Sequence, residues 1–188
     1  LNERKSHAAQ TKAVGYLRGQ LQGLAGLSLR DQTYTYQGKQ WVNLEVTIAG
    51  TDLKDEVVMM GAHYDSASEK PGLAPGADDD ASGVVTVLEA ARALAGCRPR
   101  RTVRLLFFSN EEVGIVGSKN YVASIKPSLA PGKLKGMLSV DMVAYGADDE
   151  DLDLATRSAY KGLADAAASA IQQHTSVKVK KIISDHCG

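Results

Sequence analysis

"VVMMGAHYDSASEKPGLAPGADDDASGVVTVLEA", Val57 to Ala90, is a strand, a polar loop and the start of a helix. The apolar run Val57 to His63 is continuous, as in a strand whose sheet is covered on both faces. Val84, Val87, Leu88, Ala91, Leu94 and Ala95 fall at steps of three and four, one apolar stripe along a helix that begins near Ser82 and stops at Gly96. Between the two stand His63-Tyr64-Asp65, a loop to Gly76 with two Pro-Gly pairs, and the triplet Asp78-Asp79-Asp80. Three adjacent carboxylates repel one another, so a chain that keeps them together neutralises them with something. Connections of this length are commonly functional.

The rest of the chain keeps the same rhythm. Val14, Leu17, Leu21 and Leu24 predict an opening helix. "TYTY", Thr33 to Tyr36, and "WVNLEVTIAG", Trp41 to Gly50, predict an antiparallel hairpin. "RTVRLLFFSN", Arg101 to Asn110, predicts a second buried strand that runs straight into Glu111 and Glu112. A helix is expected over Gly117 to Ile125, broken by Pro127 and by Pro131-Gly132. "GMLSVDMVAYG", Gly136 to Gly146, predicts a third buried strand with Asp141 inside it. Leu154 to His174 is spaced for a helix, and "VKVKKII", Val177 to Ile183, for an edge strand with its lysines outward. Strand alternating with helix implies parallel pairing with right-handed crossovers. The expected fold class is therefore α/β, a three-layer α/β/α sandwich around a mixed, mostly parallel central sheet. No internal repeat and no second domain is visible across residues 1–188.

Composition excludes more than it assigns. Of 188 residues, 44% are hydrophobic and 23% charged, and 22 basic side chains balance 22 acidic ones. No basic surface argues for nucleic acid, and no apolar stretch reaches the length that membrane insertion needs. Two cysteines, Cys97 and Cys187, are too few for a disulfide framework and form no Cys-x-x-Cys zinc pair.

In a parallel sheet, ligands collect outside the carboxyl ends of the strands. His63 and Asp65 end one predicted strand, Glu111 and Glu112 end the next, Asp141 lies towards the end of the third, and the aspartate triplet opens the helix after the first. A rim of His, Asp and Glu suits zinc, manganese or cobalt rather than an iron–sulfur cluster or copper(I). Two-metal hydrolytic sites need several carboxylates close together, one of them able to bridge. At a strand end, neighbouring side chains point to opposite sides, so Glu111 and Glu112 can take different tasks. Positions two apart face the same way, which lets Asp65 support His63. Taken singly, each feature has a plainer reading: an acidic triplet is commonly a helix cap, a Glu-Glu pair a solvated surface, His63 a satisfied histidine. Their recurrence at successive strand ends favours a divalent cation. His7 and His174 fit helix surfaces.

"GAHYDS", "PGADDDASG", "NEEVGIVGS" and "SVDMVAYG", occurring in that order between about Val57 and Gly146, together resemble the zinc-dependent aminopeptidases of metallopeptidase family 28, especially its secreted bacterial leucyl aminopeptidases. The resemblance implies a zinc exopeptidase fold and two Zn2+ at the carboxyl edge of the sheet. His63 and Asp141 would hold one metal, Asp79 would bridge, Glu112 would bind the second, Glu111 would be the general base, and Asp65 would sit behind His63. It further implies peptide substrates with a free N-terminus and an extracellular or periplasmic protein.

Family members complete the second site with a histidine in a late segment reading roughly Ile-His-Thr-x-x-Asp-Thr, and no such segment occurs here. His186 in "SDHCG" is the nearest substitute, but the family's Ser-Asp-His is not its zinc ligand. Whether His186 takes that place is left open by the sequence. Residues 1–188 are accordingly expected to be one catalytic domain incomplete at the C-terminus, and at the N-terminus too, holding one zinc or fewer tightly. Cys187 would be half of a disulfide whose partner is absent. Two other readings stay open: a glutaminyl cyclase-like zinc enzyme on the same scaffold, against which the intact Glu111-Glu112 pair and aspartate triplet speak, and a catalytically silent binding domain.

Overall fold

A computed structural model describes residues 3–68, 73–144, 146 and 151–185. The Pro71-Gly72 pair, His186 and Cys187 lie outside them. The chain forms two compact units, Leu1–Val143 and Ala144–Gly188.

In the first unit, Ser6 caps helix α1 (His7–Leu21) by accepting from the Ala9 N–H. Strands β1 (Leu27–Tyr36) and β2 (Lys39–Ile48) form the expected antiparallel hairpin, joined by Gln37 and Gly38, both at positive φ, as a two-residue turn matched to strand twist requires. Strand β3 (Leu53–His63) leads to α2 (Ala81–Ala93), β4 (Arg101–Phe108) to α3 (Val116–Ile125), and β5 (Leu134–Ser139) ends the unit's sheet. The strand order is β1-β2-β4-β3-β5, with β3 parallel to both β4 and β5 and β2 antiparallel to β4. The sheet is thus mixed, and its central pair is the parallel one.

Alternation along β4 sorts the layers. Leu105 and Phe107 face α1 and α2 in a core with Leu44, Val46, Val87 and Leu17. Leu106 and Phe108 face the other way, onto Tyr121 and Ile125 of α3, with Val57 and Met59 of β3. Two helices on one face and one on the other make the three-layer sandwich.

Two sequence expectations are corrected here. The third buried strand ends at Ser139, so Asp141 stands beyond it, and β5 is only partly covered where a buried strand was expected. The helix expected from Leu154 begins at Lys161; Leu152–Thr156 is strand β6, because period-two apolar spacing in "LDLAT" outweighs the alanine-rich composition that follows. In the second unit β6 pairs in parallel with β7 (Val179–Ile183), and α4 (Lys161–His174) packs on both. No helix among the described residues is long and apolar enough to cross a membrane.

Phe107 is fully buried between β4 and the two helices on its face. Phe107→Ala should cost about 3–5 kcal/mol, read as a lowered urea midpoint at unchanged slope.

Candidate metal centre

His63 is the last residue of β3, and its ring is buried. Its Nδ1 faces the main-chain carbonyl of Asp65 at 3.2 Å, so in the neutral ring Nδ1 carries the proton and Nε2 offers its lone pair. Nε2 is buried and has no hydrogen-bond partner among the described residues. It lies 3.1 Å from Asp79 Oδ1 and 3.9 Å from Asp141 Oδ1, near both but aligned for a hydrogen bond with neither. One donor atom from each of His63, Asp79 and Asp141 lies within 4.8 Å of the others. Metal–ligand bonds of about 2.0–2.2 Å set two ligands of a tetrahedron about 3.3–3.6 Å apart. The separations from Nε2 bracket that value. An orphaned imidazole nitrogen facing two carboxylates is a donor set that a divalent cation fits.

The aspartate triplet divides its labour. Asp80 is fully buried and caps α2, accepting from the Gly83 N–H at 2.9 Å and the His63 N–H at 3.1 Å, with the Met142 N–H at 3.4 Å. The plain helix-cap reading therefore holds for Asp80. Asp79, joined to it by a cis peptide, points its half-exposed carboxylate at His63. Asp78 is tied to Ser82, whose hydroxyl donates to its carbonyl and carboxylate.

The spacing of Asp65 lets it hold the His63 ring or its surroundings. Its carbonyl meets Nδ1, its carboxylate lies 3.5 Å from the same nitrogen, and that carboxylate accepts from the main-chain N–H groups of Glu111 (3.0 Å) and Glu112 (3.1 Å). One carboxylate thereby joins the end of β3 to the loop after β4. That loop turns sharply, with Val116 N–H donating to Asn110 O and Asn110 and Ile115 at positive φ. Asn43 secures it from behind, accepting from the Ser109 N–H and hydroxyl and donating to Gly117 O. Gly117 is there because an added Cβ would meet Ser109 O at 2.0 Å.

Glu111 lines a cavity of about 550 Å³ with His63 and Asp141; its other walls are mostly apolar, among them Phe108, Tyr121 and Val122. Glu112 turns elsewhere, and its Oε1 accepts from the Ala67 N–H at 2.9 Å. It is not among the residues whose donor atoms cluster with His63. Adjacent glutamates thus take different surroundings, as expected, although they sit in a loop rather than on a strand.

The site's titration reflects crowded charge. Burial lowers the His63 pKa, but the carboxylates of Asp65, Asp80 and Glu111 more than reverse this and lift it to about 9. Burial raises Glu111, Glu112 and Asp141 above the usual carboxylate range; His63 pulls all three back, and neighbouring carboxylates add to the rise. Burial lifts Asp80 to about 7, opposed by His63.

Residues 43–187 match the peptidase family M28, and the chain belongs to that family. It is 32% identical over 171 residues to leupeptin-inactivating enzyme 1 of Streptomyces exfoliatus, covering 86% of this chain and 37% of that protein. Over 99 residues it is 38% identical to leucine aminopeptidase 1 of Trichophyton equinum, covering 48% of this chain and 26% of that one. The chain thus spans well under half the length of these relatives. Its fold is shared with the LapA aminopeptidase of Legionella pneumophila, at a TM-score of 0.77 and 23% identity over 96% of this chain and 50% of that one. It is shared as well with an Acidobacteriales glutaminyl cyclase, at 0.70 and 19% over 97% of this chain and 74% of that one.

A cation entering this site must displace protons from His63 and the raised carboxylates. Groups whose pKa is raised by folding stabilise the metal-free protein at low pH and lose that effect as pH climbs. Metal-free protein should therefore lose thermal stability as pH rises from 6.5 towards about 9, the interval across which His63 departs from its usual value. Zinc should restore it, with an increment that grows with pH. Scanning fluorimetry with and without chelator reads both, and an increment that shrinks with pH would contradict the site.

Proposed function

We propose that this chain carries the metal-binding edge of an aminopeptidase that removes N-terminal residues from peptides. The observation that carries the reading is the unpartnered Nε2 of His63, buried opposite Asp79 and Asp141, with Glu111 on the wall of the same cavity. Membership of peptidase family M28 supports it, and so does likeness to a leucine aminopeptidase.

In this reading His63, Asp79 and Asp141 hold one zinc. Asp79 and Glu112, whose Oε1 is engaged by the Ala67 N–H, would serve a second metal position. Zinc bound there would polarise the scissile carbonyl and acidify the attacking water. Glu111 takes the proton of that water and passes it to the leaving amine, a task its raised pKa suits. Asp65 holds the Glu111 and Glu112 main chain in place through both carboxylate oxygens. The second position has only Asp79 and Glu112 assigned, so it would bind more weakly than the first. The same reading takes the protein to be extracellular or periplasmic.

A glutaminyl cyclase shares the fold, but the intact Glu111-Glu112 pair favours hydrolysis. Glu111→Gln should cut hydrolysis of an aminoacyl anilide by about 10²–10⁴-fold with zinc content unchanged by elemental analysis. Near-full activity in that variant would remove Glu111 from its role, and cyclisation of an N-terminal glutamine peptide would favour the cyclase. For this chain, one zinc per molecule is expected, lost in His63→Ala and kept in Glu112→Ala.

A further inference from the structure

Arg4 lies near the start of the chain, in a segment whose sequence offered only polarity, yet it reaches the loop that carries the acidic rim. Its Nε donates to Tyr64 O at 2.7 Å, its Nη1 to Pro75 O, and its Nη2 to Gly76 O at 3.1 Å. Its own N–H donates to the Ser66 hydroxyl at 2.9 Å, and that hydroxyl donates to Ala74 O at 2.8 Å. Gly76 O also accepts from the Ala81 N–H, the first residue of α2. Gly76 is at positive φ, and a Cβ there would meet Arg4 Nη2 at 2.7 Å. One side chain thus ties the exit of β3, beside His63 and Asp65, to the turn that delivers Asp78, Asp79 and Asp80.

We propose that Arg4 is a positioning residue of the metal centre: its planar fork fixes the span between His63 and Asp79 by holding both ends of their connecting loop. The proposal rests on the metal-centre reading above. Three carbonyls, each taken by a different nitrogen of one guanidinium, are a pattern that a point-like lysine ammonium cannot reproduce. The location fits as well. Burial lowers the Arg4 pKa from its ordinary value, while the charges of Asp65, Asp80, Asp79 and Glu112 raise it. A fixed positive charge behind the rim offsets part of the repulsion among those carboxylates, and nothing in the geometry requires Arg4 to touch substrate.

A plain anchor for the N-terminal segment would also use an arginine, so the test must separate anchoring from positioning. Zinc affinity is measured against a competing chelator, and the visible spectrum is recorded with cobalt(II) in place of zinc, for the unaltered chain and for Arg4→Ala, Arg4→Lys and Ser6→Ala. Ser6 caps α1 in the same segment without touching the loop, so Ser6→Ala weakens anchoring alone. Both Arg4 variants are expected to bind zinc about tenfold or more weakly, the scale of losing a group that orients metal ligands. Their cobalt band should be altered in position or intensity, while Ser6→Ala stays within twofold and keeps the band. If Arg4→Ala loses its circular dichroism, Arg4→Lys and Arg4→Gln decide by the same limits. Zinc affinity within twofold in the Arg4 variants, or an equal loss in Ser6→Ala, overturns the positioning role and leaves the metal centre standing. An unaltered chain that binds neither ion overturns the metal centre, and the role of Arg4 falls with it.

Discussion

Negative charge gathered into a small volume is the constraint around which this fold is arranged. Asp65, Asp79, Asp80, Glu111 and Asp141 gather about one imidazole with Glu112 close by, and crowded like charges resist ionising together. Main-chain N–H groups absorb part of that charge. Asp80 takes donors from β3, α2 and the segment after β5. Asp65 takes two from the loop after β4, and Glu112 takes one from the loop after β3. Among the described residues, Asp79 and Asp141, which face His63, have no such donor. Buried anions satisfied by backbone cost little; those facing the orphaned nitrogen are available to a cation.

The same bonds are what bring three strand ends into register. Parallel pairing of β3 with β4 and β5 sets the ends of the strands side by side, but pairing stops at His63, Phe108 and Ser139, short of most of the polar residues. Asp65 and Asp80 then act as side-chain bridges between the loops. Asn43 extends the bridging into the antiparallel half of the sheet, where it is fully buried and holds the Glu111 turn from beneath. The core beneath, with Leu105 and Phe107 on one face and Leu106 and Phe108 on the other, gives those bridges a fixed platform.

Much of this was legible in the sequence because it depends on local pattern. The apolar run Val57 to His63, the stripe from Val84 to Leu94 and the alternation of strand with helix specify the parallel sheet, and with it the rim where His63, Asp79, Glu111 and Asp141 meet. What periodicity could not carry are choices between neighbours of one chemical kind. Nothing local tells Asp79 from Asp80, yet one faces His63 and the other caps a helix, because only one of them meets the N–H groups of His63 and Gly83. Asp65 likewise stands two residues from His63 in sequence, but its carboxylate's partners lie 46 and 47 residues away.

Residue pattern alone therefore assigned the layers, the parallel core of the sheet and the kind of chemistry the rim supports, since burial and spacing are properties of the chain's own neighbours. Tertiary structure chose which carboxylate does what, ended β5 before Asp141, and brought Arg4 and Asn43 to the site from distant segments. A hydrogen bond between residues far apart leaves no periodic trace in the sequence. Its acceptor is often a main-chain carbonyl, which every residue has and no side-chain pattern marks.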